Sequence, residues 1–358
     1  MPSRDNEDRR TGAGNRTALV KILFRMLALA AIASAALAQP RIGAIEIYGA
    51  RRTPHARILK ALGAAPGDEL PRSKAGAEER IEAIDGVLRA HLEAWCCEQG
   101  RAVLYVGIEE RGGPHFETRP APADDSITLP EEVVSAYADF AAALARATTE
   151  GDLREDLSRG HSLMENIACR VAQQRLEALA QLYTRLLLRA ATEAADPDVR
   201  AVAAYVAGYV PEKADAVGPL QLALRDPEPA VRRNAARALK AIAYLALTNS
   251  SSGLRVQPTW LIEMLNSTAL SDRLEAAEVL QMYLEHGDEA AAAQIRERAL
   301  PALVEMARWQ HLPHALPAYL LLGSLAGIHT EELERAWAAG ERDAMLERSE
   351  KQLRADRR

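Results

Sequence analysis

DPEPAVRRNAARALKAI, residues 226–242, reads as a turn followed by a two-faced helix. Val231, Ala235, Ala238, Leu239 and Ile242 recur at the spacing of one apolar helical face. Arg232, Arg233, Arg237 and Lys240 occupy the remaining surface. Asp226, Pro227 and Pro229 supply a turn and a start, because proline suits a first helical turn whose N–H has no intrahelical acceptor. Upstream, ADPDVRAVAAYVAGYV (195–210) repeats the plan, with Asp196 as N-cap, Pro197 at the first helical position, and Val199, Ala203, Val206 and Val210 inward.

The two stretches align on Val-Arg-x-x-Ala-Ala: Val199, Arg200, Ala203 and Ala204 against Val231, Arg232, Ala235 and Ala236. A third copy, SDRLEAAEVL (271–280), keeps Arg273, Ala276, Ala277 and Leu280. In a fourth, His314 takes the arginine slot, followed by Pro317, Ala318 and Leu321. From Val199 to Val231 to Asp272 to Pro313 the steps are 32, 41 and 41 residues, within the range of helical repeat arrays. Each inner helix has an apolar partner before it, at 177–194, 216–224, 260–265 and 299–309. Over 177–327 the chain resembles HEAT repeats. The resemblance implies stacked helix pairs and a buried polar ladder between units, with Asp196, Arg200, Asp226, Arg232 and Arg273 as its members and His314 weakening its C-terminal end.

Aromatic residues are only 4% of the chain, so the core must be built from alanine, leucine and valine. A formal net charge of −6 with mixed signs argues against nucleic acid as a partner, which needs a concentrated basic surface. Lys21 and Arg25 precede an apolar run, 26–38, ending in Ala36-Leu37-Ala38. Small residues at those positions are a cleavage signature, and the run is short against the roughly 20 residues of a membrane span. A signal peptide over 1–38 is expected, placing the mature protein in the periplasm or outside the cell; an uncleaved anchor is the alternative. Contact with membrane is expected only through this signal.

Residues 39–111 change period. Ile45 and Ile47 alternate with Glu46 and Tyr48 as a strand; 54–62 and 75–84 read as helices; 87–97 and 102–109 alternate again as strands. IGAIEIYGA, PGDEL, IDGV and LYVGIEE, in a β-α-α-β-β order, resemble a POTRA domain over 41–111. The resemblance implies an exposed strand edge able to pair with a client strand, at 87–97 or 102–109. No membrane β-barrel sequence follows it here. The chain is therefore expected to be mainly α: an α-solenoid of HEAT-like helix pairs preceded by a small POTRA-like α+β domain. The prolines of 112–130 suggest an extended linker, 131–176 a helical cap with a break near Gly160, and 328–358 a C-terminal capping helix and frayed tail.

Chemistry-bearing patterns are sparse. His311 and His314 are three apart, with Glu305 as a distant third, but Pro313 stands between them and metal-ligand spacing is lacking. In GHSLMENIACR (160–170), helical spacing would put His161 and Glu165 on one face near Ser162 and Cys169, without an orienting group or an oxyanion site. No glycine-rich phosphate loop follows a strand, so neither metal nor cofactor is expected. Cys96, Cys97 and Cys169 are candidates for buried or partly exposed thiols, or for a disulfide joining Cys169 to the first module. Adjacent Cys96 and Cys97 point to opposite strand faces. Trp260 and Trp309 are candidate partner anchors, with core packing the competing reading. These features favour a non-enzymatic, exported protein-binding adaptor or scaffold with a protein or peptide partner. An enzyme of the chromophore-lyase type, using a reactive cysteine, is the competing class, and it needs an accessible thiol of low pKa.

Overall fold

The computed structural model describes residues 40–98 and 100–355. The expected signal segment lies outside them. In the first module β1 (Arg41–Tyr48), α1 (His55–Leu62), α2 (Lys74–Glu82), β2 (Val87–Glu98) and β3 (Arg101–Glu110) follow the β-α-α-β-β order. The sheet order is β1-β3-β2, with β1 parallel and β2 antiparallel to β3. β3 is therefore the central strand, which removes 102–109 from the candidate edges. The β2 edge is partly occupied as well: Glu82 accepts from the Ala90 N–H at 2.9 Å and Glu78 from that of Leu92 at 2.7 Å. These carboxylates take the place of a pairing strand over that half of β2.

Almost every side chain of β3 is buried, because the sheet is covered on both faces. Leu104, Val106 and Ile108 pack beneath α1 and α2 with Ile58, Leu62 and Ile81. Val103 and Tyr105 face the other way, joining Tyr48 in the core of the helical part. The sheet thus separates a small core of the first module from the core of the helical part. Gly107 lies at the seam: a Cβ there would sit 2.1 Å from the Thr268 carbonyl oxygen, so only glycine lets the backbones approach.

The helical part begins with α3 (Glu131–Glu150), ended by Gly151 at φ 72°. Where continued helix was expected, residues 155–164 form a two-stranded ribbon, β4 (Glu155–Asp156) and β5 (Leu163–Met164), turned through Gly160 at φ 72°. α4 (Ile167–Leu182) follows, N-capped by Asn166. The single helix expected over 177–194 is broken at Tyr183, and α5 (Thr184–Glu193) begins the repeats. α5 pairs with α6 (Pro197–Ala207), α7 (Lys213–Ala223) with α8 (Pro229–Thr248), and α9 (Thr259–Met264) with α10 (Leu270–Glu285). In the last unit α11 (Glu289–Arg298) and α12 (Leu300–Ala307) precede α13 (Leu312–Leu325). The inner helices α6, α8, α10 and α13 pack in series. α14 (Thr330–Ala338) and α15 (Arg342–Ala355) close the end, with Leu333 and Leu346 buried. Among the described residues, no helix is long and apolar enough to cross a membrane.

The segment between the modules is extended but not a free tether. Phe116 and Ile127 are buried, and the Arg119 guanidinium reaches Asp226 at 2.8 Å. Asp124 pairs with Arg189 at 2.7 Å.

Candidate functional site

Two groups of polar side chains stand out, one structural and one lining a cavity. The first is the ladder. Arg200 donates from Nε and a terminal nitrogen to the two Asp226 oxygens, each at 2.9 Å, with Asp226 fully buried. One unit on, Arg232 brings Nε and a terminal nitrogen to a single oxygen of Asp272, Oδ2, at 2.9 and 2.7 Å. Arg273 continues to Glu305 at 3.5 Å, and its guanidinium also lies over the Tyr48 ring at 4.4 Å. Arg200, Asp226, Arg232 and Arg273 are thus brought together as a series. Asp196 is not part of it: its exposed carboxylate accepts from the Asp198 N–H and caps α6. Asp272 and Glu305 are the members missed in the sequence. Asp272 stands directly before Arg273 at the start of the third inner helix, in the slot that Val199 and Val231 fill in the first two units.

At the fourth unit His314 replaces the ladder arginine, and its Nδ1 lies 2.7 Å from the Tyr105 hydroxyl. Burial, with His311 beside it, lowers the His314 pKa to about 4. His311 and His314 stack edge to face at 4.3 Å. Among the described residues, no group of three His, Cys, Asp or Glu side chains is placed to hold a metal ion.

Trp309 is not a partner anchor. It is 2% exposed and packs between the rings of Tyr48, at 5.4 Å, and Tyr105, at 5.3 Å. The strands of the first module have taken the position an outside partner would have used. Trp260 is half-buried, with the Arg225 guanidinium over its ring at 4.2 Å. Cys169 is a free, fully buried thiol whose pKa is pushed up by burial. Cys96 is disulfide-bonded, so it is not a free thiol, and with Cys169 free no bridge ties Cys169 to the first module.

The second group lines a cavity of about 370 Å³ against the inner helices. α3 supplies Phe140 and Leu144; the ribbon and its flanks supply Leu153, Glu155, His161 and Met164. Tyr205 and Tyr209 come from α6 and the turn after it, Arg237 and Lys240 from α8, and Glu275 and Glu278 from α10. The ribbon is latched in place by its own chemistry. The Met164 N–H donates to Gln173 at 2.7 Å, and the Tyr209 hydroxyl donates to the Ser162 carbonyl at 3.0 Å.

One wall of the cavity is aromatic. Phe140 stacks on Tyr205 at 4.9 Å, Tyr205 lies 5.7 Å from Tyr209, and Tyr209 lies 5.3 Å from His161. Burial raises the pKa of both tyrosines, which stay protonated. The opposite wall is charged. Lys240 donates to Glu155 at 2.8 Å and lies 3.6 Å from Glu278, while Arg237 donates to Glu275 at 2.8 Å. Burial disfavours the Lys240 ammonium, but Glu155 and Glu278 outweigh it and hold its pKa above the ordinary value. Glu275 is shifted up by burial, against the pull of Arg237 and with the push of Glu278.

His161 does not pair with Glu165, which bonds Arg154 at 2.8 Å. The nearest carboxylate to its ring is Glu177, at 3.7 Å from Nε2. Neither ring nitrogen has a hydrogen-bond partner among the described groups, although the residue is only 5% exposed. Burial, reinforced by the Lys213 charge, lowers its pKa to about 4, so the imidazole is neutral near pH 7. Ser162 donates to Glu155 at 2.6 Å instead of engaging this ring. The arrangement has the makings of a binding cavity, and in it His161 and Ser162 are not paired with each other.

Residues 184–281 match the family model for HEAT repeats. The match runs from α5 into α10 and takes in the ladder from Arg200 to Arg273 and both charged helices of the cavity wall. The HEAT-like character of these helix pairs, a kind of repeat that commonly serves protein interaction, therefore stands on both sequence and structure. No curated protein matches the chain.

Proposed function

We propose that this protein is an exported, non-enzymatic adaptor of the cell envelope that holds a polypeptide segment against its inner helices. The single observation that carries the reading is the cavity on α6, α8 and α10, walled by aromatic rings on one side and ionised groups on the other. Such mixed linings suit a peptide side chain with its neighbouring backbone. The buried, high-pKa thiol of Cys169 and the disulfide at Cys96 weigh against a cysteine-dependent enzyme. The first module, read as POTRA-like from its strand and helix order, acts here as a fixed end-piece clamped onto α10, α12 and α13, and less as an open strand edge. Export rests on the apolar run at 26–38 and the small residues that end it.

A photo-crosslinking residue at Leu153, which is half exposed at the cavity rim, tests the reading in intact cells. The same residue at Arg233, exposed on α8 and outside the cavity lining, is the control. A discrete adduct from position 153 and none from 233 is expected. Equal labelling from both positions, or adducts from 233 alone, would overturn it. Sequencing of the mature N-terminus tests export, with Gln39 expected first.

A further inference from the structure

The geometry points to the occupant: we propose that the cavity takes a guanidinium, the side chain of an arginine presented by an exposed segment of the partner polypeptide. This deepens the adaptor reading and rests on it. The first argument is charge. Three carboxylates, Glu155, Glu275 and Glu278, face two cations, Arg237 and Lys240, so the lining is one positive charge short. Both cations already hold carboxylates at 2.8 Å, whereas the half-exposed Glu278 has only the 3.6 Å approach of Lys240. An anion would add a fourth negative charge and compete for donors already engaged. A cation fills the deficit.

The second argument is His161. Its ring is buried at the cavity wall, and both nitrogens lack a hydrogen-bond partner among the described groups. Leaving such a group unmatched is costly, and buried polar atoms ordinarily find partners. A neutral imidazole keeps one lone pair, which accepts from an N–H donor. The Lys213 charge disfavours a further cation at this ring, but the cations nearest it are engaged elsewhere. Lys213 donates to the carbonyls of Gly208, at 2.8 Å, and Val210, at 2.9 Å, while Arg159 reaches Glu177 at 3.1 Å.

The third argument is shape. Tyr205, Tyr209 and Phe140 line the cavity as an aromatic wall, and the negative charge density of such rings attracts cations. A planar guanidinium stacks on such a face while its five donors remain free in the plane, able to serve His161 on one side and Glu278 on another. An ammonium is a compact point charge and does not meet flat rings and spread acceptors together. The volume, about 370 Å³, admits one long side chain and the backbone around it, not a whole helix of roughly 10 Å diameter.

The test uses the full chain in low salt, with the imidazole resonances of His161 followed by NMR. Three probes are titrated: Nα-acetylarginine amide, Nα-acetylcitrulline amide, which keeps the shape without the charge, and Nα-acetylglutamate amide. The arginine probe should shift the His161 resonances saturably, with citrulline weaker by about tenfold, the worth of one charge-assisted hydrogen bond. Glu278→Gln, on the half-exposed side of α10, should weaken the arginine probe by roughly fivefold. Equal response to arginine and citrulline, preference for the glutamate probe, or no response to any of them overturns the proposal. The comparison of probes on the unmodified chain needs no variant to fold. A discrete crosslink from position 153 combined with no arginine preference would sink this inference and leave the adaptor reading standing.

Discussion

Replacing Asp226 with alanine should be among the most damaging single changes in the repeats. Asp226 is fully buried and accepts from Arg200 twice, from Arg119 at 2.8 Å and from the Glu228 N–H at 3.0 Å. Alanine leaves the Arg200 guanidinium, 3% exposed, without a counter-charge. Breaking such a buried pair costs about 3–5 kcal/mol. The lower end applies, because Arg200 keeps its bonds to the Ala194 and Ala195 carbonyls at 2.9 and 2.8 Å. The expected loss is therefore about 3 kcal/mol, read from urea unfolding followed by far-ultraviolet circular dichroism. Asp139→Ala, which removes the exposed partner of Arg175, should cost under about 1 kcal/mol in the same assay. The double variant Arg200→Met with Asp226→Leu should recover part of the loss, since it removes the stranded Arg200 charge and leaves only Arg119, which keeps its bond to the Thr192 carbonyl at 2.7 Å. A cost below about 1 kcal/mol for Asp226→Ala, or no recovery in the double variant, would refute this account of the ladder.

Gly107→Ala drives a methyl group into the Thr268 carbonyl and the Tyr48 ring, so it should loosen the first module from the repeats. Limited proteolysis should then release that module at lower protease concentration than in the parent chain. Acid should weaken the fold through its buried histidines. His161 and His314 have pKa values of about 4 when folded, against about 6.5 unfolded. The unfolded chain binds the extra protons, so stability falls as pH drops from about 6.5 towards 4, by up to roughly 3 kcal/mol for each histidine. Urea midpoints at pH 7 and 5 should converge in His314→Gln relative to the parent; an unchanged pH dependence contradicts the assignment. Cys169 should react with a thiol reagent only after denaturation, and prompt reaction in the native state would reopen the enzyme reading. Combined Glu78→Ala and Glu82→Ala should free the β2 N–H groups and bring concentration-dependent self-association, seen by size-exclusion chromatography.

The repeats were legible because their signals are local. The apolar spacing in 226–242, its echo in 195–210, and the proline starts all act within a turn or two of helix. The same holds for the β-α-α-β-β order, whereas the covering of β3 on both faces shows only in the structure. What escaped was long-range. Trp309 looked like an anchor because the strands that cover it lie more than 200 residues away in sequence. Asp196 and Asp272 both stand near the start of an inner helix, and N-cap and ladder aspartates look alike in sequence until the neighbouring arginine is placed. The ribbon at 155–164 is hidden in the sequence because the apolar residues around it fit a helical period and only Gly160 argues otherwise. The cavity draws on five separate segments, and no spacing rule connects Phe140 to His161 or Glu278.

The most direct test of the central claim is amide hydrogen exchange on the full chain, alone and bound to the partner captured from position 153. The account predicts added protection in the second half of α3, in 153–164 and along α8 near Arg237 and Lys240. Protection confined to the first module or to α14 and α15, with the cavity segments unchanged, would contradict it.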